Sequence, residues 1–445
     1  MDLAERYQKV GVIGAAGKMG SGITLLLSQQ MAERHLAPAG RGKPFMLVAM
    51  DVSEEGLHGL RGYLRGQLRR AAEKAAVGLR QLYSDREDLV ENAEIIDDFI
   101  DEALGLVWFT TDLNSLKDCR MVFEAIAENI DLKVSIYSKL NEITKSDTWF
   151  FTNTSSIPIG LLNKEAGLGG RLIGYHFYNP PAVQKLLELI VPEGADEDAA
   201  QAGRAIARDL RKKVIPANDI AGFIGNGHFI RDGLHGIREM EGLAKEHGFA
   251  KAVYMVNRVS QDWLIRPMGI FQLIDYVGVD VFQCILSVMN RFIEDEDLHS
   301  DLIDTLMEKG VRGGQKADGS QKDGILQYAK GRPAGVYDLE KESYTALDES
   351  FTSGPDELLG GVPEGHAPWR GLLLDPDKGA KLAAYFDKLK AHEGLGSRLA
   401  VAYLKRSKEI GEHLVSSGVA DTAEDVNGVL MNGFYHLYGP INDYV

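Results

Sequence analysis

The segment Gly11-Val12-Ile13-Gly14-Ala15-Ala16-Gly17-Lys18-Met19-Gly20 constrains this chain more than any other. A β-rich apolar run at residues 10–13 enters it, and an apolar helical pattern with Ile23, Leu25, Leu26 and Leu27 leaves it. Glycines at such a strand-to-helix turn let the backbone approach a pyrophosphate, which sits at the helix N-terminus where unpaired amides and the dipole favour negative charge. The spacing is Gly-x-x-Gly-x-x-Gly, one residue longer in its first gap than the standard Gly-x-Gly-x-x-Gly. Gly14, Gly17, Lys18, Met19 and Gly20 are the expected contacts of a dinucleotide.

The next strand candidate, residues 46–50, ends at Asp51. A carboxylate at that point accepts hydrogen bonds from the ribose diol and repels a 2′-phosphate, so NAD is expected rather than NADP. Asp51 follows Gly14 by 37 residues, against a usual spacing of about 20. The excess is assigned to an insertion around residues 37–43, where Arg41 and Lys43 keep a minor NADP reading open. The plain alternative for Asp51 is a cap on the helix that follows.

Further strand candidates at 121–123, 149–152, 173–176 and 214–216 alternate with helical patterns, the signature of a parallel sheet with crossover helices. From about Ile220 the strand signal stops and amphipathic helical patterns take over. The expected organisation is an α/β Rossmann-type domain over 1–219, with a helical insertion at about 53–105, followed by all-α domains. A first helical domain is expected at 220–336 and a second at 379–445. Between them, 337–378 is rich in Gly, Pro, Ser and Asp and reads as a linker or long loop.

Residues 248–269 align without gaps on 418–439 at a constant offset of 170, with identities at Gly248/Gly418, Ala250/Ala420, Val256/Val426, Asn257/Asn427, Val259/Val429 and Gly269/Gly439. A duplicated helical unit is the expectation.

Composition narrows the function classes. The chain has 445 residues, of which 44% are apolar and 26% charged, so it can bury a large core. Lys plus Arg number 49 and Asp plus Glu 65, a net charge of −16 that disfavours nucleic acid and anionic membranes as partners. Cys119 and Cys284 are the only cysteines, which excludes a disulfide framework and a cysteine-ligated metal site. No apolar signal region or run of about 20 apolar residues is present, so the expected setting is the cytoplasm.

Three segments carry chemistry: Thr152-Asn153-Thr154-Ser155-Ser156 after a strand, Gly174-Tyr175-His176-Phe177-Tyr178-Asn179-Pro180, and Gly222-Phe223-Ile224-Gly225-Asn226. Oxidising a secondary alcohol needs a base near neutrality to take the hydroxyl proton, and histidine has the suitable ordinary pKa. His176 ends a strand, where open α/β sheets place ligands. Glu188 lies 12 residues on, far enough for the chain to turn and return, so it can orient the imidazole and balance its charge. Ser155 and Asn226 would offer a hydroxyl and an amide to the substrate oxygen. Ser155 or Ser156 as a mere helix cap is the plainer alternative.

These segments, with Phe123-Glu124-Ala125, Glu128-Asn129, Lys185-Leu186-Leu187-Glu188 and Pro267-Met268-Gly269, occur in an order that resembles the L-3-hydroxyacyl-CoA dehydrogenase family over about residues 9–335. The resemblance implies NAD as cofactor, an acyl-CoA substrate in fatty acid β-oxidation, and catalytic roles for His176, Glu188, Ser155 and Asn226. It implies that Glu128 and Asn153 lie at the cofactor and Asn179 beside the substrate. It also implies a C-terminal domain like that of 6-phosphogluconate dehydrogenase. In short members this helical domain is a dimer interface; two copies in one chain imply a monomer through internal pairing, or a homodimer through another surface.

Arg61, Arg65 and Arg69 stand at i, i+4 and i+8 of the helical pattern that follows the second strand. The resemblance implies that this region contacts the CoA nucleotide, and the alternative is a solvated face paired with the acidic run Glu91, Glu94, Asp97, Asp98, Asp101 and Glu102. Two further readings stand beside the acyl-CoA dehydrogenase: oxidation of a free hydroxy acid, such as a sugar acid or carnitine, and a non-catalytic nucleotide-binding structural protein.

Overall fold

The structure is a computed structural model that describes residues 2–316 and 319–445. Residues 1–219 and 220–445 form two compact units. In the first, eight strands make one sheet in the order β3-β2-β1-β4-β5-β6-β7-β8. They are β1 (Lys9–Ile13), β2 (Met46–Met50), β3 (Val107–Thr110), β4 (Met121–Glu124), β5 (Trp149–Thr152), β6 (Leu172–Phe177), β7 (Leu186–Ile190) and β8 (Lys213–Ala217). Neighbours pair in parallel except β6 and β7, which are antiparallel.

Strands β4 to β7 are buried along their whole length, as a sheet covered on both faces requires. The helices of this unit are α1 (Leu3–Arg6), α2 (Lys18–Leu36), α3 (Glu54–Lys74), α4 (Ala76–Leu82), α5 (Asn92–Gly105), α6 (Ile130–Ile143), α7 (Ile159–Glu165) and α8 (Glu197–Asp209). Helix α3 buries Leu57, Leu60, Leu64 and Leu68, one residue per turn, against α5. The unit is a Rossmann-type α/β fold. Strands β3 and β7 had no counterpart among the expected strands; β3 holds only four residues and β7 lies in the run Lys185-Leu186-Leu187-Glu188, read above only as a motif.

The second unit contains α9 (Phe223–His247), α10 (Phe249–Arg258), α11 (Ile270–Val277), α12 (Val279–Met289), α13 (Asp301–Glu308), α14 (Glu349–Leu359), α15 (Trp369–Leu372), α16 (Lys378–Ala391), α17 (Leu395–Ser416) and α18 (Ala423–Gly433). It is not purely helical, contrary to expectation. Three short strands, β9 (Leu326–Ala329), β10 (Arg332–Asp338) and β11 (Ser343–Ala346), form an antiparallel sheet. Lys330 and Gly331, both with positive φ, make the two-residue turn between β9 and β10, a geometry that matches strand twist.

The expected linker at 337–378 is also corrected. It holds β11, α14 and α15, and it buries Leu359 and Leu372 in the common core. Nor do 220–336 and 379–445 separate as two domains, because one continuous core includes Val256, Phe271 and Leu286 together with Tyr385, Tyr403 and Leu437. A Gly- and Pro-rich composition reports turn content, and burial by distant helices decides the rest.

The two aligned segments share local geometry. Gly248 and Gly418 both take positive φ ahead of α10 and α18. Asn257 Oδ1 accepts the Gln272 amide at 3.1 Å, and Asn427 Oδ1 accepts the Ile441 amide at 3.0 Å. A Cβ on Gly269 or Gly439 would collide with the respective Asn. Helix α17 packs on α9, and α18 packs on both. Among the described residues no single helix is long and apolar enough to cross a membrane.

Candidate active site

Strand β1 delivers the chain into the glycine loop. Gly14 has a φ of 73° and a Cβ there would lie 2.5 Å from the Ala125 carbonyl oxygen. A Cβ on Gly20 would collide with the Gly14 carbonyl, so the helix meets the strand end at a distance that only glycine permits. Gly17 is the N-cap of α2 and supplies no side-chain acceptor to the first turn, Lys18, Met19 and Gly20. A helix start without a capping side chain is the setting in which N–H groups meet a phosphate.

Asp51 follows β2. Its Oδ2 accepts the Ala16 N–H at 3.0 Å and its Oδ1 the Ser53 N–H at 3.1 Å, so the carboxylate is tied to the loop and each oxygen keeps a lone pair. Helix α3 is capped by the Ser53 hydroxyl, not by Asp51. Arg41 donates to Asp85 at 2.7 Å, which commits the guanidinium that could have favoured NADP. The glycine cradle, the helix without a capping side chain and the acid at the β2 end together fit NAD.

At the other side of the same sheet, the antiparallel pairing of β6 and β7 sets His176 opposite Glu188. Directly opposed residues project from the same face. His176 Nδ1 lies 2.7 Å from Glu188 Oε2, and Glu188 is fully buried while His176 keeps 8% exposure. The Tyr178 hydroxyl donates to the same Oε2 at 2.8 Å. Burial pushes the Tyr178 phenol far above its usual range, and the Glu188 charge adds to that, so the phenol stays a donor. Asn153, just past β5, accepts the Phe177 amide through Oδ1 at 2.9 Å and thereby holds the end of β6.

The loop after β5 converges on Glu128. Its Oε1 accepts from the Thr154 hydroxyl at 2.7 Å, the Ser155 and Ser156 amides at 2.9 and 3.0 Å, and the Ser156 hydroxyl at 2.9 Å. The Ser155 hydroxyl is farther, at 3.3 Å. Beneath it Lys133, 1% exposed, donates to Glu124 Oε1 at 2.6 Å and lies 3.6 Å from Glu128 Oε2. Tyr137 and Thr152 hydroxyls complete Glu124. Burial alone would raise the Glu128 carboxyl, but Lys133 and the hydrogen bonds from Thr154, Ser155 and Ser156 outweigh it and hold Glu128 below the usual range.

Sequence reasoning missed Lys133, Tyr137, Thr154 and Tyr178 as parts of this site. One signal was available: Lys133 sits at i with Tyr137 at i+4 and Leu140 at i+7, a lysine on the buried stripe of α6. The basic stripe behaves as its plainer alternative for two residues. Arg65 pairs with Asp101 at 3.0 Å and Arg69 with Asp97 at 2.6 Å across the α3 and α5 pair, whose leucine seam brings these charges together on an exposed face. Arg61 instead lies over the Phe109 ring, 5.1 Å from its centroid. Asn226 belongs to the second unit, in the first turn of α9, where Gly222 with a φ of 84° is the N-cap. Asn179 precedes Pro180 in the turn after β6.

A doubly wound sheet with a glycine cradle at one strand end and a buried His-Glu pair at another defines a nicotinamide-dependent dehydrogenase. The matches with known proteins specify which one. The model of the 3-hydroxyacyl-CoA dehydrogenase NAD-binding domain matches residues 45–220, and that of the family's C-terminal domain matches 246–323. The 3-hydroxybutyryl-CoA dehydrogenase of Mycobacterium tuberculosis is 31% identical over 320 residues, 71% of this chain and 99% of that protein. The human mitochondrial hydroxyacyl-coenzyme A dehydrogenase is 27% identical over 317 residues, 70% of this chain and 90% of that one. The crystal structure of the Escherichia coli K12 3-hydroxybutyryl-CoA dehydrogenase shares the fold with a TM-score of 0.64 over 98% of this chain and 90% of that one, at 18% identity. This chain belongs to the 3-hydroxyacyl-CoA dehydrogenase family, and it is an oxidoreductase with NAD as its cofactor.

Proposed function

We propose that the chain oxidises (S)-3-hydroxyacyl-CoA to 3-ketoacyl-CoA, reversibly, with His176 as the base. The observation that carries this reading is the His176-Glu188 pair at 2.7 Å, with the carboxylate fully buried. His176 takes the substrate hydroxyl proton, which we assign to Nε2, while Glu188 fixes the ring through Nδ1 and balances the imidazolium charge. The Ser155 hydroxyl and the Asn226 amide are assigned to the substrate oxygen, the latter by its place in the Gly-Phe-Ile-Gly-Asn motif. Gly14, Gly17, Lys18, Met19, Gly20 and Asp51 hold the NAD phosphates and ribose, and Glu128 and Asn153 shape the nicotinamide end. NAD, when bound, supplies the hydride acceptor.

Among the described residues Arg61, unlike Arg65 and Arg69, pairs with no carboxylate, and it is the candidate for contact with the CoA nucleotide. The setting we assign is the cytoplasm, in acyl-CoA metabolism, with no nucleic-acid or membrane partner. The two helical copies of the second unit are proposed to pair within one chain, in place of a dimer interface.

The experiment offers 3-ketobutyryl-CoA and the corresponding free acid side by side, each with NADH and with NADPH. The expected result is turnover of the CoA ester with NADH. Reduction of the free acid alone replaces the substrate assignment by the hydroxy-acid reading. Tight NADH binding without turnover on any acyl-CoA replaces it by a non-catalytic role.

A further inference from the structure

We infer that the second unit carries a ligand site of its own for an adenine nucleotide or the nucleotide end of a larger molecule. The site is a cavity of about 1000 Å³ built wholly from residues of that unit. Such a volume accommodates a molecule of nucleotide size.

Among the described residues it is lined by four arginines, Arg258, Arg266, Arg332 and Arg370, and by one acidic residue, Asp262. Two of them are neutralised by ion pairs, so in a chain with a net charge of −16 the positive charge open to an anion rests on Arg332 and Arg370. The four are not equally engaged. Arg258 is held by Asp262 at 3.2 Å and by Asp356. Arg266, 6% exposed, gives Nη1 to Asp232 at 2.7 Å and Nη2 to the Ser407 hydroxyl at 3.3 Å, while its buried Nε has no partner. Arg332 and Arg370 are exposed and pair with no carboxylate among the described residues. Two uncommitted guanidinium forks on one cavity are donors waiting for an acceptor.

The cavity also presents aromatic rings. Trp369 is held in place by its Nε1–H, which donates to the Tyr435 carbonyl at 2.8 Å. Tyr328 is anchored through its hydroxyl to the buried Asp275 at 3.0 Å. Fixed rings beside guanidinium groups suit a ligand that combines a flat base with phosphate. Inorganic phosphate would use the charge alone, and a fatty acyl chain neither.

Arg332, Trp369 and Arg370 all lie beyond residue 323, where the match to the family's C-terminal domain ends. This part of the wall is therefore an addition to that domain, and none of its residues belongs to the cofactor cradle or the His176-Glu188 pair.

The test uses the full chain saturated with NADH, so that the cofactor cradle is already filled, and titrates ADP, adenosine, inorganic phosphate and coenzyme A by calorimetry. ADP is expected to bind with a sub-millimolar Kd, and adenosine and phosphate each at least about tenfold more weakly. The double variant Arg332→Ser, Arg370→Ser is expected to weaken ADP at least about tenfold, with NADH affinity and ketoacyl turnover unchanged. Both arginines are exposed, so the variant is expected to keep its circular dichroism and melting temperature. If coenzyme A loses affinity in the variant by the same factor as ADP, the source is a CoA nucleotide; if ADP alone does, it is a free nucleotide. No ADP binding in the millimolar range, or equal affinity in the double variant, overturns the inference. Because the readout is binding, it stands or falls independently of the dehydrogenase reading.

Discussion

His176 and Glu188 are joined across an antiparallel strand pair, Nδ1 to Oε2 at 2.7 Å, on a sheet that is otherwise parallel. The reversal of β7 is what makes the pair possible, since residues 12 apart come into register only where the chain turns directly back. Replacing His176 by Ala is expected to lower turnover by about 10² to 10⁴, with NADH affinity nearly unchanged. Glu188→Gln keeps a hydrogen-bond partner for the ring but removes its charge, so a smaller loss is expected. Steady-state kinetics beside NADH fluorescence titration separates the two effects, and wild-type turnover in His176→Ala would falsify the base assignment.

Tyr178 shares Glu188 Oε2 with His176. Its hydroxyl draws on the same carboxylate oxygen that balances the imidazolium. Tyr178→Phe removes that competing donor, the protonated ring is better stabilised, and the acid limb of the oxidation profile is expected to move to higher pH. A kcat/KM profile for the hydroxyacyl substrate reads this directly. A profile that does not move removes Tyr178 from the positioning set.

Lys133 is buried between Glu124 and Glu128. Deleting one partner of a buried pair leaves the other charge uncompensated, which costs about 3–5 kcal/mol. Lys133→Met is expected to lose stability of that order in denaturant titration. Adding Glu124→Gln should recover part of the loss, because the orphaned charge is then gone. Equal stability of Lys133→Met and wild type would show that water or a rearranged side chain compensates Glu124.

Asp275 is wholly buried, and burial pushes its carboxyl up to about 7, in spite of donors from the Ile325 and Leu326 amides and the Tyr328 hydroxyl. Its ordinary value is 3.8, so between roughly pH 4 and 7 the folded chain holds a proton that the unfolded chain has lost. By linkage this group's contribution to stability is present at low pH and declines as pH rises through that window. Asp275→Asn is expected to flatten the fall in stability across the window, measured by melting temperature at a series of pH values. An unchanged slope in the variant would move its origin to another group.

Much of this site was legible because it is written in local chemistry. Gly14 and Gly20 announce a turn that only glycine allows, Asp51 ends a strand of five apolar residues, and His176 and Ser155 sit in short segments at strand ends. Periodicity and glycine placement are properties of adjacent residues, so the sequence by itself determined the α/β class of the first unit, its glycine turn and the candidate base.

What only the tertiary structure decided depends on residues far apart in the chain. That Tyr178 joins Glu188 follows from the register of β6 on β7, and that Arg65 and Arg69 spend their charge on Asp101 and Asp97 follows from how α3 lies along α5. Residues 337–378 have the composition of a linker, yet Leu359 and Leu372 reach a core assembled from helices on both sides of them. The hydrophobic effect counts buried area without regard to sequence distance, so burial, ion pairing and the walls of a cavity are settled only when the whole chain has packed.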